Sequence, residues 1–179
     1  AFLNLKQSKV QGIIEVTGNT VIDALQFASK KVKKVNFKKI NWNDQKVIFV
    51  TVHRRENWGK PIKSIALSLK KILDSNPDTS IIFAMHANPI VRRPIQEILQ
   101  KHPRCELVDP LNYENLVYVL KNCYFILTDS GGIQEEAPSF SKPLLILRET
   151  TERAEAINAG VAKLVGFDSK EIIYESEKL

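Results

Sequence analysis

The sequence predicts an α/β fold on a parallel sheet of about six strands. Three observations predict it. Short continuous apolar runs of strand length recur through residues 46–165. Between them lie segments whose apolar residues fall three and four apart, the helical period. The two kinds alternate, and strand–helix–strand alternation marks parallel strands joined by helical crossovers.

The elements follow in chain order. Thr20-Val21-Ile22-Asp23 opens a helix, with a hydroxyl for the free amides and an acid in the first turn. Val21, Ile22, Leu25 and Ala28 keep helical spacing until the lysines begin. Val47-Ile48-Phe49-Val50 is a strand buried on both faces. Ile62, Ile65, Ala66, Leu69, Ile72 and Leu73 mark an amphipathic helix, and Asn76-Pro77-Asp78 breaks it. Ile81–Met85 is the second strand. Pro89 and Pro94 delimit a helix through Ile95, Ile98 and Leu99, with Pro94 placed in its first turn. Cys105–Val108 is a short third strand. Tyr113, Leu116, Val117 and Leu120 mark a helix, and Tyr124–Thr128 the fourth strand. Gly131-Gly132 opens a helix to about Ala137, closed by Pro138. Leu144–Leu147 is the fifth strand, a helix follows near Glu152–Asn158, and Val161–Val165 is the sixth. Residues 1–18 read as a connector ending at Gly18-Asn19, and 19–179 as one domain.

Composition narrows the function classes. The chain has 179 residues, 44% hydrophobic and 26% charged, enough for a core without disulfides or a structural metal. Cys105 and Cys123 have no metal-type spacing, so a reducing compartment, the cytoplasm, is expected. No apolar run approaches the ~18 residues of a membrane span, and Ala1–Lys6 is too short and polar for a signal peptide. The first residue is Ala1 and the one methionine is Met85, which implies a removed initiator or a piece of a longer protein. The net charge is +6, and Lys30, Lys31, Lys33, Lys34, Lys38 and Lys39 cluster within ten residues. Such a cluster could serve a nucleic-acid patch. Without a nucleic-acid motif, a solvated helix end and loop explains it better. No nucleic-acid, membrane, cofactor or metal partner is expected.

Ligands of open parallel sheets bind beyond the carboxyl ends of the strands. The segments found there are His53-Arg54-Arg55-Glu56, His86-Ala87-Asn88, Asp129-Ser130-Gly131-Gly132 and Arg148–Arg153. Two glycines at a strand-to-helix turn let backbone amides approach a phosphate, and Ser130 adds a hydroxyl. A plain helix cap explains the same residues, and the spacing is neither a P-loop nor GxGxxG. Glu136, one turn on, is placed to accept from ribose hydroxyls. His53 among arginines is expected to have a lowered pKa and to be neutral near pH 7. His86 has a similar position in a plainer context, and His102 is expected on the surface.

Taken together, Val50–Asn57 (VTVHRREN), Thr128–Pro138 (TDSGGIQEEAP) and Arg148–Arg153 (RETTER) resemble the non-hydrolysing UDP-N-acetylglucosamine 2-epimerases. Val16–Leu25 resembles the entry into that family's second domain, and the likeness spans nearly the whole chain. The resemblance implies a three-layer Rossmann-like domain, the UDP-binding second half of a glycosyltransferase B architecture. Residues 1–18 would connect it to an N-terminal domain that is not here. It also implies inversion at C2 of the sugar in UDP-GlcNAc, giving UDP-ManNAc, by elimination and re-addition of UDP, in a protein that is typically a homodimer. Ser130, Gly131 and Gly132 would hold the diphosphate, Glu136 the ribose, and His53 would assist catalysis. Arg54 or Arg55, His86 and Arg153 would be further UDP contacts. Leu116 stands where members often carry an aromatic against the uracil, and Ala154 replaces a family proline. These 179 residues alone are expected to be catalytically silent. The alternative is the donor domain of a UDP-sugar-dependent glycosyltransferase.

Overall fold

A computed structural model describes residues 2–179; Ala1, the first residue of the expected connector, lies outside them. Helix α1 (Phe2–Gln7) buries no residue and was not foreseen in that connector. The domain then runs α2 (Thr20–Ser29), β1 (Lys46–Val52), α3 (Lys60–Ser75), β2 (Thr79–Met85), α4 (Pro89–Leu99) and β3 (Cys105–Val108). It continues with α5 (Tyr113–Asn122), β4 (Phe125–Thr128), α6 (Gly131–Glu136), β5 (Leu144–Ile146), α7 (Ala154–Asn158), β6 (Ala162–Leu164) and α8 (Ser169–Glu177).

The six strands form one parallel sheet in the order β3-β2-β1-β4-β5-β6. This is the doubly wound order, and it reverses direction between β1 and β4. Side-chain alternation explains the two cores. Ile48, Val50 and Val52 of β1 join Ile81, Phe83 and Met85 of β2 against α3, α4 and α8. Val47 and Phe49 join Ile82 and Ala84 on the opposite face, against Val119 and Leu120 of α5 and Ile133 of α6. Both faces being covered, the strands read as apolar runs rather than alternating ones.

Four local expectations are corrected, and one helix is added. The N-cap of α2 is Asn19, whose Oδ1 accepts from the Val21 amide at 3.1 Å, not the Thr20 hydroxyl. Pro89 starts α4, so Pro94 lies in the second turn, where the missing amide frees the carbonyl of exposed Ile90 to water. Helix α8 was not foreseen. Asp168 caps it, accepting from the Lys170 and Glu171 amides at 2.9 and 3.1 Å, and fully buried Ile172 anchors it. His102 is not a surface group: its side chain is 10% exposed and its Nδ1 accepts from the Arg104 amide. Lys39 differs from the rest of its cluster, because its Nζ donates to the carbonyls of Gln100 and His102. Among the described residues no helix is long and apolar enough to cross a membrane.

Candidate functional site

The point of reversal places the polar segments. Thr51 of β1 pairs with Thr128 of β4, so His53 and Asp129 leave adjacent strands at the same edge. β2 ends at Met85, which puts His86 beside them. The His53 and His86 ring centroids are 6.4 Å apart, with planes tilted by 22°. A cleft of about 250 Å³ opens here, lined by His53, His86 and Ser130 at its polar end and by Pro110, Leu111 and Leu116 along an aliphatic wall. Leu116 thus offers an apolar surface without a ring.

Asp129 is the most constrained polar group of the edge. It is 0% exposed. Its carboxylate accepts from the backbone amides of His53, at 3.1 and 3.0 Å, and Arg54, at 2.8 Å. It also accepts from Asn57 Nδ2 at 2.9 Å, and His53 Nδ1 lies 3.1 Å away. Asn57 Nδ2 donates in addition to the Leu147 carbonyl, tying the ends of β1, β4 and β5 together. The hydrogen bond to Asp129 raises the pKa of His53 above the ordinary histidine value, while burial and Arg54 oppose the rise. The lowered pKa expected of His53 is therefore corrected to a raised one, because the buried Asp129 carboxylate outweighs burial and Arg54, and the local sequence of arginines conceals it. Burial works against the charge of Asp129 itself, yet the bonds from His53, the Arg54 amide and Asn57 together hold its carboxyl below the usual range.

The glycine turn starts α6. The Ser130 amide donates to Thr128 Oγ1 at 2.9 Å, and the Ser130 hydroxyl makes no capping bond to the helix. Gly132 is exposed; a Cβ there would meet only Ser130 Oγ, at 3.9 Å. Gly131 faces the guanidinium of Arg153, whose Cζ would stand 2.9 Å from a Cβ. Arg153 is held there by Glu135, at 2.6 Å from its Nε, and by Glu152. Arg54 Nε donates to the Asp129 carbonyl at 2.9 Å, and its Nη2 is 3.9 Å from Glu152. Both arginines therefore lie beside the turn, and both reach Oε1 of Glu152. The guanidinium of Arg55 lies 6.0 Å from the Trp58 ring centre. Glu136 is half-buried in the second turn of the helix, and burial, with Glu135 nearby, raises its pKa. Arg148 is buried, bridging Glu56 at 3.1 Å and Glu152 at 3.0 Å.

Asp129, Asn57 and Arg148 carry much of this arrangement and were not singled out as site residues. For Asp129 the available signal was a charged residue directly after a buried apolar strand, which sequence logic assigns to helix capping.

A doubly wound parallel sheet, with a glycine turn, a histidine and two arginines at its switch point, defines a Rossmann-like domain of the kind that forms half of a glycosyltransferase B fold. The family profile described as UDP-N-acetylglucosamine 2-epimerase matches residues 3–179, and the chain belongs to that family. A Campylobacter jejuni UDP-N-acetylglucosamine 2-epimerase is 48% identical, covering 98% of this chain and 49% of the relative. The Neisseria meningitidis UDP-GlcNAc 2-epimerase, solved bound to UDP-GlcNAc, superposes with a TM-score of 0.89 at 43% identity, covering 98% of this chain and 50% of that one. An S. aureus structure solved with UDP gives 0.89 at 42% identity, covering 98% and 48%. A glycosyltransferase of kitacinnamycin is alike in fold alone, with a TM-score of 0.59 at 14% identity over 78% of this chain and 36% of that one. The chain spans about half the length of the relatives it matches.

Proposed function

We propose that this chain is the UDP-binding half of a UDP-N-acetylglucosamine 2-epimerase, which interconverts UDP-GlcNAc and UDP-ManNAc by elimination and re-addition of UDP. The observation that carries this is the convergence of His53, Arg54, Arg153 and the Ser130-Gly131-Gly132 turn on one edge of the sheet, in a chain of that family. Relatives were solved with UDP and with UDP-GlcNAc, which supports the same ligands here.

The chemistry follows from charge. Elimination leaves negative charge on the departing diphosphate, and groups preset around that charge lower the barrier. The amides of Gly131 and Gly132 and the Ser130 hydroxyl donate to it. Arg153 and Arg54 supply permanent cations. His53, whose pKa the Asp129 carboxylate raises, adds an imidazole held beside the turn. Glu136 accepts from the ribose, His86 lies along the phosphate path, and the uracil rests on the aliphatic wall at Leu116. Proton transfer at the sugar is assigned to residues of an N-terminal domain that residues 1–18 would join to 19–179. The whole protein would act as a cytoplasmic homodimer without a bound cofactor or metal.

Incubation of the longer protein with UDP-GlcNAc and no acceptor tests the activity. UDP-ManNAc in the proton spectrum supports the epimerase. Strict dependence of turnover on an acceptor would instead establish a glycosyltransferase.

A further inference from the structure

We propose that Asp129 is a positioning residue that acts through His53, its buried carboxylate holding the imidazole as the Nδ1–H tautomer so that Nε2 is the nitrogen presented to the cleft. The proposal rests on the UDP-binding role given above to the neighbouring turn.

A carboxylate taken fully out of water is costly unless its oxygens are satisfied. Here they are over-determined: two backbone amides, the Asn57 amide and His53 Nδ1 all converge on Asp129. Anchoring the loop would need only the amide donors. The imidazole is the one partner that can choose its tautomer, and a carboxylate oxygen 3.1 Å away repels a bare lone pair on Nδ1 and so favours a proton there. The other groups facing the ring do not make that choice. Arg54 is turned onto the Asp129 carbonyl, and Nδ1 of His86 accepts from the Asn88 amide. His53 is therefore either a cation with Nε2–H toward the cleft or, once neutral, a bare Nε2 acceptor. An asparagine at 129 would reverse this. Its oxygen would keep the backbone amides, its NH₂ would face Nδ1, and the imidazole would move its proton to Nε2.

The test is a long-range ¹H–¹⁵N correlation of the histidine side chains in the ¹⁵N-labelled 179-residue chain, without ligand, across pH. Wild type is expected to show neutral His53 with the proton on Nδ1, titrating above the free value of about 6.5. Asp129→Asn should move the neutral-form proton to Nε2 and lower the proton affinity at least roughly tenfold, one pKa unit. A wild-type neutral form protonated on Nε2, or an Asp129→Asn spectrum with His53 unchanged, overturns the proposal. If Asp129→Asn does not fold, the wild-type tautomer alone decides. The measurement uses no UDP, so a failure to bind UDP would strike the proposed function and leave this result standing.

Discussion

Gly132→Ala separates folding from ligand binding. Gly132 is exposed and its φ is not positive, and the new methyl would meet only Ser130 Oγ, at 3.9 Å. The protein therefore accommodates it. Replacing a helical glycine by alanine should raise stability by about 0.5–1 kcal/mol. A diphosphate seated on the turn would not accommodate it, because the methyl stands where the ligand approaches the amides. Losing one charge-assisted hydrogen bond costs about 1.5–3 kcal/mol, or roughly 10- to 150-fold in Kd. Gly131→Ala is a poorer probe, since its methyl would lie 2.9 Å from Arg153 Cζ and displace a cation as well. The assay pairs thermal melting with calorimetric titration of UDP. A melting point equal to or above wild type together with a weakened Kd is the expected result. An unchanged Kd in the folded variant would refute the phosphate role of the turn.

Four further outcomes are expected. Arg104 donates to the carbonyls of Leu73, Asn76 and Thr79 across the turn from α3 to β2, so Arg104→Met should cost about 2–4 kcal/mol in urea unfolding; a loss below ~0.5 kcal/mol would show the clamp to be idle. Burial pushes the thiols of Cys105 and Cys123 up to about 12, so iodoacetamide at pH 8 should modify neither in the native chain and both in urea, and native labelling would contradict that burial. Replacing Lys30, Lys31, Lys33, Lys34 and Lys38 by Gln should leave the UDP Kd within about twofold, whereas a nucleic-acid module predicts salt-sensitive RNA or DNA binding that this variant abolishes. The raised pKa of His53 gives a stabilisation complete below the unfolded value of ~6.5 and lost as pH rises through the higher folded value; the lowered pKa of Asp129 gives one present above ~3.9 and lost as pH falls through the folded value. Wild type should consequently lose melting temperature from pH 5.5 to 8.5 relative to His53→Gln, and parallel profiles would contradict the pairing.

The strand–helix alternation and the six buried strands were legible because each rests on local pattern, whereas the order β3-β2-β1-β4-β5-β6 depends on pairing between distant segments. Buried strands such as Ile81–Met85 announce themselves as apolar runs, and one rule of parallel sheets then places His53 and Ser130 at the same edge. What escaped notice depends on contacts across the chain. Helix α8 has only an Asp168 cap and a weakly apolar face, and it becomes a helix by packing on α3, with Ser169 Oγ at 2.8 Å from Ser68 Oγ. The direction of the His53 pKa shift is hidden from the sequence because its neighbours there are arginines, whereas its governing neighbour is Asp129, seventy-six residues away. Asp129 itself looked like a cap because nothing local shows that its oxygens turn back toward β1. His102 and Lys39 were given to solvent for the same reason.

UDP is proposed to bind at the edge between β1 and β4. Backbone amide shifts of the ¹⁵N-labelled chain, followed through a UDP titration, test it most directly. Saturable shifts confined to Gly131, Gly132, His53 and the cleft around Leu116, with Lys30–Lys34 unmoved, are the predicted result. An unperturbed turn at millimolar UDP, or shifts centred on the lysine cluster, would contradict it.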